Sequence, residues 1–333
     1  MSSNRDTSLS SAQTLVQAMT QQRLLLISPV HNEAAYLELV AEAVARQRRR
    51  PDLWVIVDDG STDETPQILK GLARRFDFVR VVHATKPPSH GAGKDKLAVA
   101  ADAASFNIGL HSVAWETFTH IAKLDGDTEL DPDYFERVLG EFERDPELGL
   151  AGGIYADPDP SGDGDGWKVM FIPSEYHVPG TLKCYSLACF QAIGGIQERL
   201  AWDTIDEAYA RMLGFRTRSF PELVVRHHRP SGSADGVLRG RARHGQCAYI
   251  ARFTLSWVTL RALKVAGRDR PRGISGLAFL YGYLSSAARR APRVEDPAFR
   301  AFVRCELRER MRAELGGRAV GVRGLTPASG RGS

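Results

Sequence analysis

Seven carboxylates in this 333-residue chain fall into three clusters whose composition suits metal and proton chemistry. The first is Asp125-Gly126-Asp127, directly after an apolar run at 119–124. Carboxylate oxygens are hard ligands that suit Mg2+ or Mn2+, and the intervening glycine lets the chain turn tightly under a bulky ligand. Magnesium takes few protein ligands and fills its shell with water and substrate phosphates. The pair therefore suits a metal that bridges to a diphosphate, with a plain turn as the alternative. The second cluster, Asp58-Asp59-Gly60-Ser61, also follows an apolar run. It reads either as the capping turn of a helix near Pro66 or as an acceptor for a base N–H or ribose hydroxyl. The third is Asp203, Asp206 and Glu207. Asp203 and Glu207 are four apart and share one face of a helix. Their mutual repulsion predicts a raised carboxyl pKa, as a general base at neutral pH needs; the alternative is a solvated helix N-terminus, where acids are favoured by the dipole.

Two further groups carry chemistry. His227-His228, flanked by Arg226 and Arg229, can supply a metal ligand and a phosphate contact, or be purely structural. Residues 90–96 (HGAGKDK) lack the phosphate-loop frame and its place between the first strand and helix, although Lys94 or Lys96 can still reach a phosphate. No GxGxxG follows the first strand and no GxSxG occurs, which disfavours dinucleotide oxidoreductases and α/β-hydrolases.

The elements that must position these residues alternate regularly. Apolar runs at 23–28, 53–57, 78–83 and 119–124 have the continuous character of buried parallel strands. Helical patterns at 34–49, 65–76, 98–110 and 132–143 follow them, giving βαβ units and a parallel sheet. The polar clusters fall just after strand ends, where open α/β sheets bind ligands. Beyond lie a strand from 150 with an Asp/Gly/Pro loop at 157–166, a strand, turn and short helix at 170–190, a helix ending at Gly214, a strand at 216–225, and a basic helical stretch from 237.

In order and spacing, Ser28-Pro29-Val30-His31-Asn32-Glu33, Val57 to Asp63, Leu124-Asp125-Gly126-Asp127, Gly194-Gly195 and the 202–207 stretch ending in Gly214-Phe215 resemble the inverting nucleotide-sugar glycosyltransferases of family 2. The resemblance spans about 24–229, nearly two-thirds of the chain. It implies the α/β GT-A fold, with a Rossmann-like, mostly parallel central sheet and flanking helices. It implies transfer of a sugar, of hexosyltransferase class, from a nucleoside-diphosphate sugar to an acceptor hydroxyl with inversion, dependent on Mn2+ or Mg2+, in polysaccharide or glycoconjugate biosynthesis. Pro29, His31 and Glu33 would line the nucleotide pocket, Asp58 and Asp59 contact base and ribose, and Lys94 reach a phosphate. Asp125 and Asp127 would form the DxD motif, with Asp127 the stronger metal ligand and Asp125 also on the nucleotide side; His228 would join the metal or diphosphate. Asp203, eleven residues before Gly214, matches the family's catalytic base, but Trp202 replaces the preceding acid, so Asp206 is the alternative base. A QxxRW motif is missing from the C-terminal part, which favours a single-addition enzyme over a processive synthase.

Charge is unevenly placed. Residues 226–312 hold 18 Arg and one Lys against six acids, a balance of +13, within a chain of net +4. The expected organisation is a disordered tail at 1–22, the catalytic domain at 23–230, a basic helical extension at 231–314 and a disordered tail at 315–333. The extension would hold diphosphate, a lipid-linked acceptor or a membrane surface. The acceptor would be a glycan, a lipid-linked group or a small molecule. Four cysteines without a CxxC pair predict reduced thiols and a cytoplasmic protein, with peripheral contact at the inner membrane face. No signal peptide and no run of 18 apolar residues is visible. Two rival classes are a sugar-phosphate nucleotidyltransferase, whose Gly-rich signature is absent between Ile27 and Glu33, and a nucleic-acid-binding protein, disfavoured because the arginines spread over several helices without interleaved aromatics.

Overall fold

The computed structural model describes residues 22–85, 100–159, 165–170, 174–230 and 236–316. Its first half is built from strand–helix units. β1 (Leu24–Val30), β2 (Leu53–Asp58), β3 (Val79–His83) and β4 (His120–Leu124) pair in parallel. α1 (Leu37–Ala45), α2 (Thr65–Arg75) and α3 (Ala101–His111) connect them. These strands read as continuous apolar runs because helices cover both faces of the sheet. Leu24, Leu26, Trp54 and Ile56 pack on one side; Leu25, Ile27, Val55 and Val57 pack on the other.

Past β4 the direction changes. β5 (Thr128–Glu129) leads into α4 (Tyr134–Arg144), then β6 (Leu148–Pro158), β7 (Trp167–Val169) and β8 (Leu182–Ser186). α5 (Leu187–Ala192), α6 (Trp202–Met212) and β9 (Arg216–His227) follow. Among the described residues nine strands form one sheet in the order β3-β2-β1-β4-β8-β6-β9-β5, with β7 on β6. β8 runs antiparallel to both β4 and β6, while β9 runs parallel to β6. The strand expected at 216–225 extends to His227, which matters for the site. α6 stops where Gly214 takes a left-handed φ of 91°, as a helix end favours.

Four more helices complete the chain: α7 (Val237–Ile250), α8 (Leu255–Arg268), α9 (Ile274–Ala288) and α10 (Pro297–Leu315). The basic extension packs on the catalytic part through α6: Ala201, Ile205 and Ala208 meet Trp257, Phe299, Val303 and Leu307 in one buried cluster. Arg211 on α6 pairs with Glu306 on α10 at 2.7 Å, and Arg310 closes on the same carboxylate.

The β6–β9 pairing leaves no room for a side chain at Gly153, where a Cβ would lie 2.0 Å from the Leu223 carbonyl oxygen. Gly153→Ala is expected to lower unfolding free energy by about 3 kcal/mol. Gly71, with open space on exposed α2, gives the opposite sign: Gly71→Ala is expected to stabilise by about 0.5–1 kcal/mol through helix propensity. Urea titration of the two variants checks both.

Candidate active site

β1 lies between β2 and β4, and the carboxyl ends of these strands are the place where open α/β sheets bind ligands. Two of the loops leaving them are stitched together. Asn32 adopts a left-handed φ of 56°; its amide donates to Ser61 Oγ at 3.0 Å, and its Oδ1 accepts from the Thr62 amide at 2.8 Å. His31 Nδ1 lies 2.7 Å from the Asp59 carbonyl. Asp58 uses both carboxylate oxygens locally, one accepting from the Ser61 amide at 2.9 Å and the other 3.1 Å from His83 Nδ1. Pro29 sits within β1 opposite Val57, and Asp59 is buried. The expected nucleotide residues Pro29, His31, Glu33, Asp58 and Asp59 thus line two adjacent loops; Lys94 lies outside the described residues.

Acids gather at the end of β4. Asp127 is buried beside His227, whose Nε2 is 3.5 Å away, and Arg229, whose Nε is 3.8 Å away. Arg229 also donates to Glu33 at 2.6 Å. Burial, and then the charge on Asp127, push the Glu33 carboxyl up to about 8 against the pull of Arg229. Gly126 is required between them: a Cβ there would stand 2.9 Å from Val30 and 3.0 Å from Glu33. Asp125 takes a hydrogen bond from the buried Lys123; burial raises its carboxyl in spite of that cation. The end of β4 therefore holds more carboxylate than its cations compensate.

Sheet pairing brings the histidines to these acids. Thr128 in β5 pairs with His227 in β9, and the His228 amide donates to the Asp127 carbonyl at 2.9 Å. His227 Nδ1 lies 3.0 Å from Asp157, which leaves Nε2 turned towards Asp127. Burial opposes protonation of this ring, but Asp157 and Asp127 outweigh it and raise its pKa. His228 points elsewhere: its Nε2 is 3.0 Å from Glu129, and its ring stacks on Tyr36 and meets Trp167 edge-on. The residue expected at the metal is His228; the ring that faces Asp127 is that of His227, the last residue of β9, while His228 just past it turns to Glu129.

A divalent metal fits this donor set. Asp127 supplies a hard carboxylate, and His227 is oriented by Asp157 in the carboxylate–histidine arrangement that commonly supports a metal. Among the described residues no group of three or more His, Cys, Asp or Glu is arranged to hold a metal alone. The fit is to an ion that draws its remaining ligands from substrate phosphates and water.

The third cluster separates into different roles. Asp206 and Glu207 are buried with Lys183, whose Nζ lies 2.9 Å from Asp206 and 3.2 Å from Glu207. Tyr185 donates to Asp206 at 2.5 Å. Asp206, the expected alternative base, is buried with both carboxylate oxygens taken by Lys183 and Tyr185. Repulsion between Asp203 and Glu207 does not raise Glu207: burial would raise it, but Lys183, His177 and Arg211 hold it well below the usual range. Asp203 differs. It is half-buried in the first turn of α6, Lys183 donates to its backbone carbonyl at 2.5 Å, and among the described residues nothing hydrogen-bonds its carboxylate. Gly180 leaves space beside it, the nearest atom to a notional Cβ being Asp203 Cβ at 3.5 Å.

Four residues join the two halves of the site. Asp102, in the first turn of α3, accepts from Trp202 Nε1 at 3.1 Å and lies 3.8 Å from Lys123 Nζ. Trp202 lies over both Lys123 and Lys183, 5.3 and 5.4 Å from their ammonium nitrogens. Sequence reasoning missed Lys123, Lys183 and Asp102, and named the His227-His228 pair without deciding which ring faces the acids. A lysine inside an otherwise apolar strand was the available signal for the first two. Asp102 carried none, because it sits in an alanine-rich helix. Both helices enter the site through a strained left-handed alanine, Ala100 at φ 49° and Ala201 at φ 72°.

Residues 26–175 match the family model described as Glycosyl transferase family 2. That segment, a little under half of the chain, is similar to the family. No curated protein matches the chain by sequence. Among solved structures, the mannosyltransferase PcManGT from Pyrobaculum calidifontis in complex with GDP-Man and Mn2+ is similar at 17% identity and TM-score 0.50, over 91% of this chain and 88% of that one. S. aureus TarS 1-349 in complex with UDP-GlcNAc is similar at 14% identity and TM-score 0.53, over 89% and 93%. GalNAc-T7 with UDP, GalNAc and Mn2+ gives 14% and 0.54, over 88% of this chain and 58% of that one. These similarities establish the GT-A fold.

Two outcomes test the electrostatics of this domain. Lys183→Met strands two buried acids, and is expected to cost about 3–5 kcal/mol in a denaturant titration. Glu33 has a folded pKa of about 8 against 4.5 in the open chain, so its neutral form favours the fold. Its contribution is complete below the unfolded value and is lost as pH rises through about 8. The melting temperature of Glu33→Gln is expected to gain on the unsubstituted protein as pH rises from about 4.5 to about 8, and to hold that gain above it.

Proposed function

We propose that the protein transfers a hexose from a nucleoside-diphosphate sugar to an acceptor hydroxyl, with inversion and with Mn2+ or Mg2+ bound. One observation carries this reading: Asp127, His227, Arg229 and Glu33 converge at the end of β4, while the Asp203 carboxylate, which nothing among the described residues hydrogen-bonds, sits in the first turn of α6 with its backbone held by Lys183. Asp127 and His227 would hold the metal, which when bound supplies charge neutralisation for the departing diphosphate. Arg229 adds a fixed positive charge beside the same position. Asp203 accepts the proton of the acceptor hydroxyl as it attacks, and a single displacement needs no covalent nucleophile. The loops after β1 and β2 hold the base and ribose through His31, Asp58 and Asp59.

All three structural neighbours are complexes with a nucleotide or nucleotide sugar, and two also hold Mn2+, which supports the donor class and the cation. The acceptor is a glycan, a lipid-linked group or a small molecule, in polysaccharide or glycoconjugate synthesis. Four free cysteines, two of them fully buried, suit a reducing compartment and support the cytoplasm or the inner face of its membrane.

A thermal-shift panel of nucleoside diphosphates with Mn2+ is expected to single out one base. Nucleoside diphosphate release in donor turnover is the expected product; pyrophosphate release would replace this reading with nucleotidyl transfer. Asp127→Ala is expected to abolish the metal-dependent shift. Asp203→Asn is expected to lower turnover by about 10²–10⁴-fold with donor binding retained. Unchanged turnover in Asp203→Asn would remove the base assignment.

A further inference from the structure

α9 is packed inside out. Its exposed positions are Ile274, Leu277, Tyr281, Leu284 and Ala288, recurring every three or four residues, and not one is polar. The four large ones are 46–66% exposed. The face turned inward is made of Ser275, Gly276, Phe279, Gly282, Tyr283 and Ser286. Its glycines let backbones touch: a Cβ at Gly282 would lie 1.8 Å from the Ala242 carbonyl, and one at Gly276 would lie 2.4 Å from that of Ala262. Small residues between helices and large apolar ones outside is the arrangement used where the outer medium is lipid; a surface helix facing water is patterned the other way round.

Charge decides what covers this ridge. Exposed Arg270 and Arg272 precede it, exposed Arg289 and Arg290 follow it, and residues 271–294 contain no acid. A second copy of the chain would set arginines against arginines, whether the two helices paired parallel or antiparallel. Beside the end of α9, Arg252, Arg293, Arg300 and Arg304 line a cavity of about 330 Å3 that Leu255 and Tyr283 complete. Among the described residues none of these four pairs with a carboxylate. Leu263 on the neighbouring α8 is also 67% exposed. No described helix is long and apolar enough to cross a membrane, so the ridge fits a surface and not a span.

We propose that α9 and its flanking arginines dock the protein on an anionic lipid bilayer, with Leu277, Tyr281 and Leu284 in the interface and the arginines at the phosphate level. This goes beyond the sugar-transfer reading and does not depend on it. The test is flotation of the full chain with vesicles of phosphatidylcholine alone or mixed with phosphatidylglycerol. Binding is expected to the anionic vesicles only, and to weaken with salt. The pair Leu277→Ser and Leu284→Ser is expected to lower partitioning roughly tenfold or more, as is the pair Arg289→Ser and Arg290→Ser, with donor turnover unchanged in both. Should the leucine variant not fold, hydrogen exchange of residues 274–288 in the unsubstituted chain replaces it, and protection by anionic vesicles supports the proposal. The proposal is overturned if the chain stays unbound at low salt, if binding ignores the leucine substitutions, if residues 274–288 gain no protection, or if the chain sediments as a dimer that Leu277→Ser disperses.

Discussion

β4 and β8 run antiparallel in a register that sets Lys123 directly opposite Lys183. Both side chains are buried. Taking an ammonium out of water costs several kcal/mol, and like charges facing each other across a strand pair repel. The fold answers by giving each lysine its own acids. Lys123 takes Asp125 and Asp102, while Lys183 takes Asp206, Glu207 and the Asp203 carbonyl. The Trp202 ring spans both ammoniums. The same arrangement that makes two buried cations tolerable also ties Asp125 through Lys123 and the Asp203 backbone through Lys183.

The rest of the site gathers at the strand ends. β1 ends beside β4, and the β1 and β2 loops are tied through Asn32, Ser61 and Thr62. The short β5 strand then pairs with the end of β9, delivering His227 and Arg229 to Asp127 from about a hundred residues away. Negative charge accumulates there beyond what Arg229 and Lys123 neutralise. Burial, and after it that negative charge, raise the Glu33 carboxyl against the pull of Arg229.

The uneven charge of the chain has a structural counterpart. The acidic part holds the site; the basic part forms four helices fixed to α6 by an apolar cluster and by the Arg211–Glu306–Arg310 bridge. Arg310 and Arg211 also cover Tyr176. The helix that carries Asp203 is thereby gripped from both sides, by Lys183 within the sheet and by α10 outside it. Arg270, Arg272, Arg289 and Arg290, outside this grip, flank an apolar ridge.

By itself the sequence determined the alternation of strands and helices and the polar, carboxylate-rich motifs just after the strand ends. Those features are local: a continuous apolar run, a glycine between two acids and a turn after a strand all lie within a few residues of one another. The span of α9 was also legible, because its apolar run is bounded by arginines and proline. Only the tertiary structure decided which histidine faces Asp127, since the choice depends on how β5 registers on β9. Only it decided that Asp206 is locked to Lys183 while Asp203 stays open, since three acids in six residues look alike until a buried cation from another strand selects among them. Likewise the inverted packing of α9 was hidden, because composition gives the amount of apolar surface on a helix and neighbouring helices decide which side of it meets solvent.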